Sequence, residues 1–399
     1  MTDFRTLDQV DVRGKRVLLR VDLNVPIQDG RVGDRTRIER VMPTIKELAD
    51  KGGKVVLLSH LGRPRGAPGP KQSLRPVAAA LSSILGRPVA FAPDCIGSVA
   101  ETAAGAMQPG DVLCLENTRF HKGEEKNDKD FVSALAKLGD VWVNDAFSAA
   151  HRAHASTEGL GHVLPAYAGR AIEAELEALA RVLERPAHPV VAIVGGAKVS
   201  SKLDLLGNLL NKVDILAIGG AMANTFLFAE GKRVGKSLCE PDLAGTAREI
   251  LSSAHTGGCE ILLPVDAVVA EKLAAHAASR VVQVNDIAEE DMILDLGPSS
   301  IKHVVSTLDR SKALLWNGPV GAFEVEPFDK GTIEIAKAAA ELTRGGKLLS
   351  VAGGGDTMAA LNAAGATRRF SFVSTAGGAF LEWLEGKPLP GVAILKTGT

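Results

Sequence analysis

The sequence predicts an α/β fold of two lobes, each a mainly parallel sheet flanked by helices, joined by a hinge helix. Short apolar, β-branched runs recur along the chain, each followed by a polar or Gly-rich break and a longer helical segment: "RVLLRVDLNVP", "KVVLLSHLGRP", "DVLCLENTRFH", "DVWVNDAFSAAHR", "PVVAIVGGAKVSSK", "DILAIGGAMANTF", "EILLPVDAVVA", "KALLWNGPVGAFE", "KLLSVAGGGDTMAAL" and "FSFVSTAGGAF". Strands alternating with helices build βαβ units with right-handed crossovers. So many runs suit two sheets better than one, and 399 residues exceed the size at which a single core keeps growing. Segment 169–189, "GRAIEAELEALARVLERPAHP", spaces Ile172, Leu176, Leu179 and Leu183 as one helix face and ends in Pro-rich punctuation. It divides a first domain, 1–168, from a second, 186–380, with 169–185 as inter-domain helix.

Composition narrows the partners. The formal net charge is −1, so no overall field draws nucleic acid or a lipid surface, and any anion site must be local. The four cysteines, Cys95, Cys114, Cys239 and Cys259, lie far apart without a C-x-x-C pair, which argues for a reducing compartment and against a zinc site or disulfide framework. No apolar signal region opens the chain and no long uncharged apolar run follows, so a cytoplasmic protein is expected.

In parallel sheets ligands bind beyond the carboxyl ends of the strands, so the residues just after each apolar run are the candidates. In the first half these are Arg20, Asp22 and Asn24, then His60 and Arg63, then Arg119, then His151, Arg152 and His154, with Arg37 at the start of a helix soon after the first strand. Alone, each arginine reads as a surface residue in a weak ion pair, and Arg65, Arg75 and Arg87 stay in that class. At successive strand ends, several planar forks suit a small, strongly anionic ligand bearing phosphate or carboxylate. His151 and His154 mimic a metal pair at i, i+3, but no carboxylate or Cys cluster completes a ligand set.

The second half collects glycines at the corresponding positions: "GGAKVSSK", "GGAMANTF", "NGPVGAFE", "GGGDTMAAL" and "STAGGAF". Glycine lets the backbone approach a ligand closely, and amides at a following helix N-terminus hold phosphate oxygens, so this half suits a polyphosphate. Asp356 and Thr357 fall in the first turn of an Ala-rich helix; Asp356 reads either as an N-cap or as a carboxylate that meets Mg²⁺ beside phosphates, and both roles can coexist. Lys198 and Lys202, four apart, are expected on one helix face within reach of phosphates, and Glu324 is a candidate for ribose hydroxyls. "GKRVGKS", 231–237, has three residues between its glycines where a Walker A loop needs four, and no G-x-G-x-x-G follows a strand.

Together these loops resemble phosphoglycerate kinase from end to end: "RVDLNVP", "SHLGRP", "ENTRFHKGEE", "NDAFSAAHRAHAST", "GGAKVSSKL", "GGAMANTFL", "GKSL", "NGPVGAFE", "GGGDT" and "STAGGAFLEWLEGKPLPGV" occur in one order. The resemblance implies two Rossmann-like lobes that close about a hinge, a monomer, and reversible phosphoryl transfer between ATP and the carboxylate of 3-phosphoglycerate, giving ADP and 1,3-bisphosphoglycerate in glycolysis and gluconeogenesis. It implies Asp22, Leu23, Asn24, Arg37, His60, Leu61, Gly62, Arg63, Arg119, His151 and Arg152 for phosphoglycerate. For the nucleotide it implies Lys198, Lys202, Gly219, Asn317, Glu324, Gly353, Gly354, Gly355, Asp356 and Thr357, with Asp356 facing Mg²⁺. Arg37, Lys202, Gly377 and Gly378 would neutralise the moving phosphoryl group, and the tail, 381–399, would return to the first domain. A carboxylate nucleophile is already ionised at neutral pH, so no general base is needed. Two departures stand out: Ala376 where the family has glycine, at a cost of about 1 kcal/mol if that position needs positive φ, and Ser148-Ala149 for Gly-Thr. The rival readings lack support: a binding protein that closes on an anion has no use for Lys198, Lys202 and Asp356, and an oxidoreductase needs a dinucleotide turn.

Overall fold

The computed structural model describes residues 4–64 and 66–396, so Arg65 and the last residues of the tail lie outside the described residues. The chain forms two compact units, one made of the residues up to Leu176 together with those from Pro388 onward, the other of Glu177–Lys387.

The first unit is built on Arg16–Arg20, whose Val17, Leu18 and Leu19 are wholly buried, as a strand covered on both faces requires. Its sheet runs Val89–Ala92, Val112–Leu115, Lys54–Leu58, Arg16–Arg20, Val141–Asn144, Ala166–Ala168, and every pairing is parallel. From Arg16–Arg20 the chain first adds strands on one side and then returns to the other, so the order reverses at this strand and opens a crevice at its carboxyl end. The second unit repeats the plan with Glu260–Leu262, Ile215–Ile218, Val190–Val194, Ala313–Asn317, Leu349–Gly353 and Phe372–Ser374, again all parallel. In chain order this is 3-2-1-4-5-6, the Rossmann arrangement, and the reversal lies between Val190–Val194 and Ala313–Asn317.

A three-stranded antiparallel sheet, Ser279–Gln283, Asp266–Ala270 and Met292–Leu296, joins the second unit. The run "EILLPVDAVVA", read above as one strand, divides into Glu260–Leu262 in the parallel sheet and Asp266–Ala270 here. Pro264, without an amide hydrogen, interrupts the ladder between them. Ser279–Gln283 is mostly exposed and lacks the apolar alternation that would have disclosed it.

Helix Arg170–Leu183 occupies the segment expected to join the domains, and the division between units falls within it. Its N-terminus is held by the first unit: Asp145 Oδ1 accepts from the amides of Ala171 and Ile172 at 2.8 and 3.1 Å, and Thr44 Oγ1 accepts from that of Arg170 at 3.0 Å. Near the other end of the chain, Arg5 donates to the Leu395 carbonyl and Asn144 Nδ2 to that of Gly391, so the tail packs on the first unit.

Asp295 is the buried carboxylate with the clearest pH signature. It accepts the amides of Leu296 and Gly331 at 2.8 Å each, and burial raises its pKa from 3.8 to about 7. Between these values the unfolded chain has lost a proton that the folded chain keeps, so stability falls as pH rises through that window. Asp295→Asn has no such loss, and its stability relative to the parent should improve from pH 4 to pH 7 by up to about 4 kcal/mol, measured by urea unfolding at each pH. A gap that does not change with pH would show Asp295 to be ionised throughout.

Candidate active site

Arg20 ends the strand at which the first sheet reverses, and it is only 1% exposed. Its Nε donates to Ser156 Oγ at 2.8 Å, an Nη1 donates to the Val21 carbonyl, and Nη2 meets His60 Nδ1 at 2.9 Å. Ser156 in turn donates to buried Glu124 at 2.5 Å. Because arginine only donates, His60 Nδ1 is the acceptor and the ring proton sits on Nε2. Burial, then Arg20, Arg119 and Arg152, push the His60 pKa well below its ordinary value, so the ring is a neutral donor.

Around it the strand-end loops converge. Asn24 Oδ1 accepts from the Gly62 amide at 2.9 Å, the Gly62 carbonyl accepts from Arg119 Nη1 at 2.8 Å, and the Leu61 carbonyl accepts from Asn117 Nδ2 at 2.7 Å. The Leu23 amide donates to Ser59 Oγ at 2.9 Å. Arg119 is 5% exposed, and its pKa is lowered by burial first and by the charge of Arg152 next, with Arg63 also contributing. Arg63 itself is exposed, and Arg152 Nε donates to His151 Nε2 at 3.1 Å. The His154 pKa is pushed down to about 4 by burial, Arg119 and Arg152, so the i, i+3 histidine pair sits in cationic surroundings that repel a metal ion.

Arg37, second residue of helix Thr36–Asp50, bonds through Nη1 to Asp22 Oδ2 at 2.8 Å and the Asn24 carbonyl at 3.1 Å. Its Nε and Nη2 make no hydrogen bond among the described residues, and the side chain is 37% exposed. Ser148, one of the two departures from the family pattern, also donates to Asp22 Oδ2.

In the second unit the backbone crowds at the point of reversal. A Cβ on Gly195 would lie 1.9 Å from the Pro319 carbonyl oxygen, so only glycine permits this approach. Lys202 Nζ donates to the Gly195 carbonyl and to Asn317 Oδ1 at 2.6 Å each, and to the Asn317 carbonyl at 3.2 Å. Burial lowers its pKa from 10.5 to about 8, with Asp356 acting the other way. Asn317 Nδ2 donates to the Gly353 carbonyl, and the Gly318 amide to Thr357 Oγ1 at 2.7 Å. Gly354, at φ 104°, is the N-cap of helix Gly355–Ala363, so Asp356 is an exposed first-turn residue and not the cap. Gly219 is buried against Val320.

Two expectations are settled at Lys198/Lys202 and at Ala376. Lys198 and Lys202 share no helix face: the helix is Leu203–Leu209, Lys202 is its N-cap, and Lys198 lies exposed in the preceding turn, where Gly196 at φ 144° bends the chain. Glu324, for its part, is exposed in the loop beyond Asn317, open to a ligand. Ala376 does not need positive φ, because Gly377 takes that conformation at φ 50° as N-cap of Gly378–Leu384, and the Ala376 amide donates to Ser374 Oγ at 3.1 Å. Ala376→Gly should therefore leave turnover within about twofold and cost a few tenths to 1 kcal/mol of stability through the freer unfolded chain, readable in one thermal melt and one rate assay.

Sequence reasoning did not single out Glu124 or Ser156, and it marked Ser148 only as a departure without its bond to Asp22. Glu124 and Ser156 are far from each other and from Arg20 in sequence, and polar residues buried by tertiary packing leave no periodic trace.

Arginines and a neutral histidine converging at one sheet reversal, with glycine turns and an ammonium at another, define a phosphotransferase of the two-unit α/β class. A model of the family described as phosphoglycerate kinase matches residues 7–387. The chain is 65% identical over 396 residues to the phosphoglycerate kinase of Azorhizobium caulinodans, covering 99% of this chain and 100% of the relative, and 64% identical to that of Bradyrhizobium diazoefficiens, covering 98% of each. Among solved structures, phosphoglycerate kinase from Coxiella burnetii is 42% identical with a TM-score of 0.92, and that from Pyrococcus horikoshii 31% identical with a TM-score of 0.81, each covering 98% of both chains. The chain belongs to the phosphoglycerate kinase family. Its reaction is ATP-dependent phosphoryl transfer with 3-phosphoglycerate, a step of glycolysis and gluconeogenesis. Among the described residues no helix is long and apolar enough to cross a membrane.

Proposed function

We propose that the first unit binds 3-phosphoglycerate or 1,3-bisphosphoglycerate and the second binds ATP or ADP with Mg²⁺, the two groups of side chains dividing the reaction between them. The observation that carries this reading is that the arginines gather at the reversal of one parallel sheet while Lys202, Asn317 and the glycine turns gather at that of the other. In the first unit Arg63, Arg119 and Arg152 hold the substrate phosphate, assisted by His60 and His151. Asp22, Leu23, Asn24, Leu61 and Gly62 shape the carboxylate and hydroxyl end beside Arg37. Arg37 presents its unused Nε and Nη2 to the acyl oxygen, where charge grows during transfer.

In the second unit the turns at Gly219, Gly353 to Gly355 and Gly377-Gly378 approach the nucleotide, with Thr357 fixing the loop through Gly318. Lys198 and Glu324 supply outer contacts to phosphate and ribose. Asp356, an exposed first-turn carboxylate whose charge is felt by Lys202, suits a hard cation that takes one carboxylate plus substrate phosphates. Mg²⁺ bound there supplies neutralisation of phosphate charge. Lys202 exhausts its three donors on protein oxygens, so reaching a phosphate oxygen means exchanging one of those bonds. Transfer needs alignment and charge neutralisation more than covalent chemistry from the protein.

We assign 1–168 to phosphoglycerate, 186–380 to the nucleotide, 169–185 to the hinge and 381–399 to the returning tail. Reactants held by different domains must be brought together before transfer, excluding water. The reading extends to a monomer working in a reducing cytoplasm without nucleic acid or membrane partners; its four free thiols and balanced charge support this.

Incubation with ATP, Mg²⁺, 3-phosphoglycerate and hydroxylamine tests the assignment, because hydroxylamine traps an acyl phosphate as hydroxamate. Product should require both substrates and Mg²⁺. Hydroxamate formation that survives omission of either substrate would overturn it.

A further inference from the structure

Beside the loop that carries Arg119, Asp94, Cys95 and His121 bring one oxygen, one sulfur and one nitrogen within 4.8 Å of one another. Asp94 and Cys95 follow strand Val89–Ala92, and His121 caps the short helix Lys122–Glu125, so the three arrive from two loops of the first unit. The isolated cysteines gave no zinc-like spacing in the sequence; tertiary structure makes the cluster. Asp94 Oδ1 is 2.6 Å from His121 Nε2 and also accepts the Cys95 amide at 2.6 Å, while the His121 ring stacks on Phe131 with centroids 5.3 Å apart. Both half-buried ligands are thus already oriented. Cys95 is 1% exposed, and its Sγ makes no hydrogen bond among the described residues.

We propose that Asp94, Cys95 and His121 bind one Zn²⁺-class transition-metal ion, separate from the nucleotide's Mg²⁺. A borderline-soft ion is selected because the set mixes thiolate, imidazole and carboxylate, whereas Mg²⁺ takes oxygen. Three protein ligands leave the fourth tetrahedral position to water. Metal bonds of about 2.0–2.3 Å place tetrahedral ligands about 3.3–3.8 Å apart, so the Asp94–His121 hydrogen bond opens by about an ångström on binding. Cys95 releases its thiol proton to solvent, and His121 coordinates through Nε2 with its remaining proton on Nδ1. The ion would tie the loop at 94–95 to the segment carrying Arg119 and Glu124, fixing a neighbour of the arginine cluster from behind.

Co²⁺ titration of the chelator-treated full chain tests this, since a Co²⁺–thiolate bond absorbs in the near ultraviolet and tetrahedral Co²⁺ in the visible. One equivalent should bind, Zn²⁺ should displace it, Cys95→Ala should lose the thiolate band, and His121→Ala should weaken binding at least tenfold. Cys114→Ala, removing a buried thiol elsewhere, should keep the band. Should Cys95→Ala fail to fold, the surface variants Asp94→Asn and His121→Ala carry the test with the thiol in place. Absence of a thiolate band at saturating Co²⁺, or a band that persists without Cys95 or without change in both surface variants, overturns the proposal.

Discussion

Arg37→Ala lowers kcat by roughly 10²- to 10³-fold while the KM values for 3-phosphoglycerate and ATP change by less than about tenfold, the signature of a donor used mainly in the transition state. The reason lies in how the side chain is held. Asp22 and the Asn24 carbonyl grip a single nitrogen, Nη1, and Ser148 shares Asp22, so the guanidinium is oriented while its other edge stays available. An arginine meant only to stabilise the fold would spend both edges, as Arg170 does on Asp8, Glu47 and Glu173. Truncation also leaves Asp22 without its cation, so folding must be checked by circular dichroism, and Arg37→Lys separates charge from shape. Lysine keeps the charge but loses the planar fork, and should recover only part of the rate. A variant whose deficit lies wholly in KM would make Arg37 an ordinary binding residue.

The same contrast explains what the sequence disclosed. Strand-end positions such as Arg20, His60 and Arg119 were legible because a buried apolar run followed by a polar residue marks the carboxyl end of a parallel strand, whatever the fold around it. Glycine turns were legible because a missing Cβ has few other uses after a strand. Contacts that join distant segments were not. Arg20 reaches Glu124 through Ser156, and nothing near any of the three predicts the other two. Lys198 and Lys202 misled for a related reason: four-residue spacing places side chains together only inside a helix, and this helix starts after Lys202. The antiparallel sheet escaped because an exposed strand carries no hydrophobic period, and Asp94, Cys95 and His121 because their loops meet only when the sheet has formed.

Lys202→Met should lower kcat by a similar factor of roughly 10²- to 10³-fold, and it should also remove a pH dependence that the parent protein shows in nucleotide binding. Burial holds the free enzyme's Lys202 near a pKa of about 8, against 10.5 for an exposed lysine. A phosphate oxygen beside Nζ favours the charged form, so binding raises that pKa again and takes up a proton where the free enzyme has lost one. Affinity for ADP is therefore flat below pH 8 and falls above it, by about tenfold at pH 9, because only the protonated fraction is competent. Calorimetry at pH 7 and pH 9 in two buffers of different ionisation enthalpy reads both the loss of affinity and the proton uptake. Lys202→Met should bind ADP more weakly at pH 7 yet with no further loss to pH 9. If the parent and the variant show the same slope, Lys202 keeps its proton on the three protein oxygens in both states, and its role is to fix Gly195 and Asn317 while another group meets the phosphate.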